Sequence, residues 1–322
     1  MNLTAILALV ATDMAGVNSH IRENMRSEVG LIEQMGEYII AGGGKLLRPV
    51  VAILAAKACG YPEDRHQVAA AVIEIIHTAT LLHDDVVDAS ELRRGQETAN
   101  SIWGNESAVL VGDFLFSRAF EMAIAMNDAR VMQILASTIN RITEGEVMQL
   151  LYCNEPDTTE QQYMTVIQCK TAKLFEAAAQ IGAVLANKEA SQEASLGAYG
   201  MHLGTAFQVA DDLLDYRADS ETLGKNVGDD LAEGKPTLPI IYALQQGSAT
   251  QVALLRQVIE NGDRQKLEQV VEIIEETKAL DYAQAVMLRE SEKATETLAA
   301  IPDSEYKMAL QGLIEFSVAR LY

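Results

Sequence analysis

Two stretches of the chain carry one acidic pattern: Asp84-Asp85-Val86-Val87-Asp88 and Asp211-Asp212-Leu213-Leu214-Asp215. Both end long apolar runs that read as helical. On an α-helix, positions i and i+4 lie one above the other, so the first and last carboxylates of each cluster share a face. Like charges stacked this way repel, unless divalent cations stand between them and an anionic ligand. Mg²⁺ prefers hard oxygen donors in octahedral geometry. Two clusters facing each other would hold several Mg²⁺ ions, and the ions would hold a diphosphate. The plainer alternative is a pair of solvated acidic helix ends. The flanks weigh against it: Ala79-Thr80-Leu81-Leu82 precedes the first cluster, and Val209-Ala210 and Leu213-Leu214 surround the second. Aspartates pressed into apolar surroundings need a partner.

The second set of candidates is cationic, and cations are scarce: 25 Lys and Arg against 46 Asp and Glu. Gly42-Gly43-Gly44-Lys45-Leu46-Leu47-Arg48-Pro49 lies between two expected helices. Glycines let the backbone approach a ligand closely, and N–H groups at a helix start favour an anion. Lys45 and Arg48 add two positive charges. A helix–helix corner is the alternative, and the nucleotide-type phosphate loop is excluded, since it needs Ser or Thr after the lysine and a preceding strand. Arg93-Arg94-Gly95 follows the first cluster by a short loop. These arginines are either ion-pair partners of the aspartates or planar donors aimed at a phosphate from the other side. Lys170-Thr171, Phe207-Gln208, Gly224-Lys225 and Lys235 complete the set. Each alone reads as solvated surface, and their scarcity makes them informative together.

Glu74-Ile75-Ile76-His77 has the Glu-x-x-His spacing of di-iron carboxylate bundles, a site that needs a second copy on a facing helix. The other copy, Glu63-Asp64-Arg65-His66, opens the same helix and cannot face the first. His77, nearly two turns before Asp84, is expected to donate a hydrogen bond to a ligand or to sit as a satisfied core histidine.

Helices must position these residues. Apolar periodicity near 3.6 dominates and no segment sustains two-residue alternation. The expected helices span 3–24, 30–41, 48–59, 65–88, 107–126, 129–153, 159–185, 192–218, 237–246, 250–261, 264–277, 279–300 and 303–320. The six prolines fall at helix starts or in connections, where a missing N–H does little harm. Thr158 with Gln161 looks like a capping box, and Gly60 like a helix stop. The helices at 65–88 and 192–218 are apolar nearly all round, which marks them as central. No linker interrupts the 322 residues, so one all-α domain, 1–322, is expected. Its 49% hydrophobic content suits a sizeable core. A net charge of −21 argues against nucleic acid or an anionic membrane surface as partner. Cys59, Cys153 and Cys169 lack metal-ligand spacing and are expected as small core residues in a reducing cytoplasm. The apolar start, Met1 to Val10, is short and lacks a basic leader, so no signal peptide is expected. No stretch reaches the roughly 20 apolar residues of a transmembrane span.

In this order the motifs resemble those of the trans-type isoprenyl diphosphate synthases: Gly43-Gly44-Lys45 to Arg48-Pro49, His77, Asp84 to Asp88, Arg93-Arg94, Lys170-Thr171, Phe207-Gln208, Asp211 to Asp215, Gly224-Lys225 and Lys235. The resemblance covers nearly the whole chain, and its details look most like the bacterial members that make octaprenyl chains for ubiquinone. It implies an all-α bundle of the isoprenoid synthase type with a central cavity between long helices. It implies that Asp84, Asp85, Asp88, Asp211, Asp212 and Asp215 hold about three Mg²⁺ on an allylic diphosphate such as farnesyl diphosphate. Lys170 and Lys225 complete the implied catalytic set. Arg93, Lys170, Thr171, Gln208, Lys225 and Lys235 would grip the allylic diphosphate. Lys45, Arg48, His77 and Arg94 would grip isopentenyl diphosphate. A cytoplasmic homodimer is implied too. Leu46 departs from the family, which usually has Arg or another polar residue there. A terpene cyclase would replace the second aspartate cluster and need no isopentenyl site, and a non-catalytic subunit would lose aspartates.

Chain length follows from the apolar helix before the first cluster. Ala79 and Thr80, one turn before Asp84, are small, where short-chain members of the family place aromatic residues as a floor. Ile76, Ile73, Val72 and Ala69 continue one face. Thr80 back to Ala69 passes roughly thirteen chain carbons, or about three isoprene units beyond the first few. The helix at 107–126 is the expected opposite wall, with Met122 nominated as floor. Ordinary helix packing without a channel is the alternative.

Overall fold

The computed structural model describes residues 1–93, 95–217 and 228–319. It is α-helical apart from one two-stranded antiparallel hairpin, in which Leu92 pairs with Glu97 and Arg93 with Gln96. Most helices match the periodicity within a residue or two, among them Arg65–Val87 and Ala190–Arg217. Three differences are instructive. The run expected at 3–24 is two helices, Leu3–Leu9 and Ala11–Asn24, jointed at buried Val10, whose β-branch disfavours the helix. The capping box uses Thr159 and Gln162, because the Thr158 hydroxyl instead donates to the Glu155 carbonyl at 2.8 Å. The run expected at 159–185 is interrupted by a single π turn, Gln168–Ala172, between Glu160–Ile167 and Lys173–Leu185.

Two compact units emerge. The first comprises Met1–Ser137, Leu174–Gly200 and Leu298–Leu313. Its centre is the helix Arg65–Val87, against which Ala11–Asn24, Leu47–Ala58 and Asn105–Ala125 pack. Ile53, Leu54, Ile73, Ile75, Ile76 and Leu115 are fully buried there. Each such side chain gains roughly 1.5–3 kcal/mol over exposure. His66 is equally buried, with Nε2 2.7 Å from Asp13 Oδ1 and Nδ1 2.8 Å from the Glu63 carbonyl. The Glu63-x-x-His66 spacing thus falls at a helix start, with both imidazole nitrogens in hydrogen-bond contact.

The second unit comprises Thr138–Lys173, Met201–Thr297 and the segment from Ile314 onward. One apolar cluster gathers Tyr163, Ile167, Val209, Leu213, Ile241 and Met287. Another gathers Tyr216, Leu231, Ile240, Leu255, Val258 and Ile274. Cys59 and Cys169 are buried and Cys153 is half-buried, in line with core roles. Among the described residues, no helix is long and apolar enough to cross a membrane.

Candidate active site

Asp84 and Asp85 lie in the last turn of the helix Arg65–Val87 with Asp88 as its C-cap, and Asp211, Asp212 and Asp215 lie in the last two turns of Ala190–Arg217. That is the negative end of the helix dipole, where acids cost and cations gain about 0.3–1 kcal/mol each. Acids at such an end are unfavourable unless something offsets their charge.

In the first unit, Asp84 and Asp88 are half-buried, whereas Asp85 is only 5% exposed. Arg93 holds Asp85 from the hairpin: Nε at 2.8 Å and Nη2 at 2.7 Å both reach Oδ1. Of the two roles open to Arg93, ion pairing is thus present. The hairpin turns at Gly95, whose φ of +75° suits glycine. Behind it, Asn100 Nδ2 donates to the carbonyls of Asp85 at 3.2 Å and Ser90 at 3.3 Å, and Thr98 Oγ1 donates to Ser90 at 2.6 Å. The Asp85 carbonyl also accepts from the Ser90 N–H at 2.9 Å, so these side chains tie the helix end to the segment that follows it. A solvent-open pocket with a cavity volume of about 80 Å³ brings Gly42, Gly43, Asp85 and Arg93 together with apolar Ile39, Leu81 and Leu82. Lys45 is exposed beside it in sequence. Arg48 Nη1 donates toward His77 Nε2 at 3.0 Å, and its guanidinium lies 4.5 Å from the centre of the Phe175 ring. Arg48 and His77 therefore act as a pair. The channel candidates Ile76, Ala79 and Met122 are buried, and half-buried Thr80 donates to the His77 carbonyl at 2.7 Å.

In the second unit, the π turn carries Lys170 and Thr171. Such turns recur at functional sites. A Cβ on Gly145 would fall 2.8 Å from the Lys170 backbone nitrogen and 2.9 Å from Cys169 Cβ, so glycine lets the neighbouring helix Ala129–Tyr152 meet the turn. Lys170 Nζ lies 2.6 Å from Glu146 Oε2. Thr171 Oγ1 donates to Gln208 Oε1 at 2.9 Å, and Gln208 Nε2 donates to Asp212 Oδ1 at 2.8 Å. Tyr163 donates its hydroxyl to Asp212 Oδ2 at 2.6 Å. Asp212 is 3% exposed, while Asp211 and Asp215 are half-buried. Burial, and then the charge of Asp230, push the Asp212 carboxyl well above the usual range. Burial and the Asp212 charge likewise push Tyr163 up. Asp215 accepts from the Gly228 N–H at 3.2 Å and, through Oδ2, from the Asp230 N–H at 3.3 Å. Lys235 pairs with Glu233.

Arg94, Gly224 and Lys225 lie outside the described residues. Tyr163, Gly145, Glu146, Asn100 and Asp230 were not singled out in the sequence. Asp230 alone had a visible signal, since Asp229-Asp230 is a further acidic pair.

Among the described residues, no three His, Cys, Asp or Glu side chains gather into a cage that could hold an ion. Mg²⁺ at diphosphate sites takes only one or two carboxylates and completes its shell with water and phosphate oxygens. Half-buried carboxylates at i and i+4 on a helix end fit such an ion, arriving with its anion.

Comparison with known proteins follows the same line. The profile of the polyprenyl synthetase family matches residues 29–277. Octaprenyl diphosphate synthase of Escherichia coli (strain K12) is 50% identical over 321 residues, 99% of this chain and 99% of that one. A geranyl-diphosphate-specific all-trans-nonaprenyl-diphosphate synthase of Rhodobacter capsulatus is 45% identical over 98% of this chain and 97% of its own. A polyprenyl synthase of Caulobacter crescentus CB15, solved with calcium and isoprenyl diphosphate, superposes with a TM-score of 0.95 at 42% identity, covering 99% of this chain and 98% of that one.

Proposed function

The chain belongs to the polyprenyl synthetase family and is a prenyltransferase, and from that premise we propose that it makes octaprenyl diphosphate from isopentenyl diphosphate and an allylic primer such as farnesyl diphosphate. The observation that carries this reading is the pair of D-D-x-x-D clusters, each on a helix C-terminal end with its middle aspartate held by the protein. Mg²⁺, when bound, neutralises the allylic diphosphate and stabilises it as a leaving group. Asp84, Asp85 and Asp88, with Asp211, Asp212 and Asp215, supply the carboxylate oxygens for about three ions. Lys170, Lys225, Lys235, Arg93, Thr171 and Gln208 grip the allylic diphosphate; Lys45, Arg48, His77 and Arg94 grip isopentenyl diphosphate. The primer's C1–O bond breaks with its electron pair on the diphosphate, the isopentenyl double bond attacks C1, and a proton is lost. Charged groups fixed in place favour the charge separation, and apolar walls keep water from the cation.

The small residues Ala79 and Thr80 support a long product. The tail would run past Ile76 toward Met122. The family profile runs through both units, which supports reading 1–322 as one domain. A cytoplasmic homodimer feeding ubiquinone or menaquinone side-chain synthesis completes the proposal. Products from geranylgeranyl to solanesyl length are the neighbouring alternatives.

Purified protein supplied with Mg²⁺, farnesyl diphosphate and radiolabelled isopentenyl diphosphate should yield octaprenol after dephosphorylation. A cyclic hydrocarbon would point to a terpene cyclase, and no incorporation would end the reading. Ala79→Tyr should stop growth at about three or four isoprene units while the first condensation survives. Met122→Ala should lengthen the product. Full-length product from Ala79→Tyr at a normal rate would place the tail elsewhere.

A further inference from the structure

Tyr163 stands among apolar neighbours, Ile167, Ala206, Val209 and Leu213, and is 5% exposed. A phenylalanine would fill that space equally well. The hydroxyl is therefore explained by what it does, and its one donated bond, 2.6 Å long, goes to Asp212 Oδ2. A carboxylate accepts about four hydrogen bonds, two on each oxygen. Here Tyr163 takes a site on Oδ2 and Gln208 Nε2 takes one on Oδ1 at 2.8 Å. The Gln208 carbonyl in turn accepts from Thr171 Oγ1 at 2.9 Å. Two donors on opposite oxygens fix both the tilt and the rotation of the carboxylate.

We propose that Tyr163 is a positioning residue for the second aspartate cluster. With Gln208 it locks Asp212 in the orientation from which the cluster receives a divalent metal bound to diphosphate. The inference rests on the functional reading above and adds a residue that the motifs do not contain. The resulting chain, Thr171 to Gln208 to Asp212 to Tyr163, also ties the π turn bearing Lys170 to the cluster. The cations assigned to isopentenyl diphosphate, Lys45, Arg48 and His77, belong to the first unit.

The test uses the full chain with Tyr163→Phe, which removes one oxygen and keeps the ring. Mn²⁺ binding in the presence of inorganic diphosphate is read by electron paramagnetic resonance. Partners behind metal ligands commonly carry 10–100-fold in affinity, so the Mn²⁺ dissociation constant should rise about tenfold. The Mg²⁺ concentration for half-maximal rate should rise in step, while KM for isopentenyl diphosphate stays unchanged. Tyr282→Phe is the control, since its hydroxyl serves Glu160 at 2.8 Å, and it should leave Mn²⁺ binding as it is. Should Tyr163→Phe not fold, Gln208→Met removes the other donor and must weaken Mn²⁺ in the same sense. A lowered melting temperature with wild-type Mn²⁺ affinity would make Tyr163 purely structural and overturn the proposal. Absence of Mn²⁺–diphosphate binding by the wild-type chain would instead overturn the functional reading, and this inference with it.

Discussion

The two aspartate clusters share a pattern but not a support. Asp85 is held by a guanidinium from a hairpin eight residues on. Asp212 is held by two neutral donors, one of them 49 residues away in sequence. In the first case a positive charge meets the buried carboxylate. In the second, burial and Asp230 raise the carboxyl well above its ordinary range. One motif can thus be anchored by charge or by hydrogen bonds. The first anchor is local and mainly a matter of stability. The second is assembled from distant segments and is a matter of orientation.

The largest expected effect asks whether the clusters are equals in chemistry. Asp84→Ala and Asp211→Ala should each lower turnover by roughly 10³-fold or more, the cost of several kcal/mol of leaving-group stabilisation. Circular dichroism should be unchanged. A folded Asp84→Ala protein with near-normal turnover at saturating Mg²⁺ would break the comparison at its root.

Stability separates the two supports. Arg93→Ala strands the buried Asp85 charge and should cost about 2–3 kcal/mol in urea unfolding, less than the roughly 3–5 kcal/mol for a fully buried pair because Arg93 is partly exposed. Tyr163→Phe removes a neutral donor and should cost about 1–1.5 kcal/mol. Equal losses would mean that charge is not what distinguishes the anchors.

Acid should affect both units through other carboxylates. Burial raises Asp13, but hydrogen bonds from His66 and Gln67 and the charges of His66 and Lys57 outweigh it, leaving its pKa below 3.8. Glu290 is likewise raised by burial and lowered further by His202 and Lys293, ending below 4.5. A depressed folded pKa gives stability that is complete above the unfolded value and lost as pH falls through the folded one. Asp13→Asn and Glu290→Gln should therefore each flatten the loss of stability as the pH falls below about 4. An unchanged acid limb in both variants would contradict these assignments.

The smallest effect concerns Leu46, which precedes the helix Leu47–Ala58 with φ +46° and ψ +39°. Arginine meets the same left-handed strain, so Leu46→Arg should leave turnover nearly unchanged. It should tighten isopentenyl diphosphate by no more than about fivefold, the scale of one partly solvated charge. A large fall in turnover would reveal a packing role for Leu46.

Periodicity located nearly every helix because an apolar stripe is a repeated signal. Leu238–Gln246 and Asn105–Ala125 were legible for that reason. Single-residue events were not. The π turn at 168–172 changes one hydrogen-bond spacing within an uninterrupted helical pattern, and the joint at Val10 breaks none of the apolar spacing. The candidate site divides in the same way. The aspartates and the Arg93 pairing could be read from local order, whereas Tyr163 and Glu146 take their meaning from side chains 49 and 24 residues away. No pattern within one segment encodes such a meeting.

Placing acids on the negative ends of two helices has a consequence for anyone who selects variants. Without metal between them, neighbouring carboxylates repel, so Asp84→Asn or Asp211→Asn is expected to raise the melting point of the bare protein. A screen for thermal tolerance run on the bare protein would therefore enrich chains that have lost their purpose. The same screen run with Mg²⁺ and inorganic diphosphate would reverse the ranking, because ligand that binds only the folded state rewards intact clusters. Robustness and usefulness pull apart at Asp84 and Asp211, and the solution in which variants are compared decides which is selected.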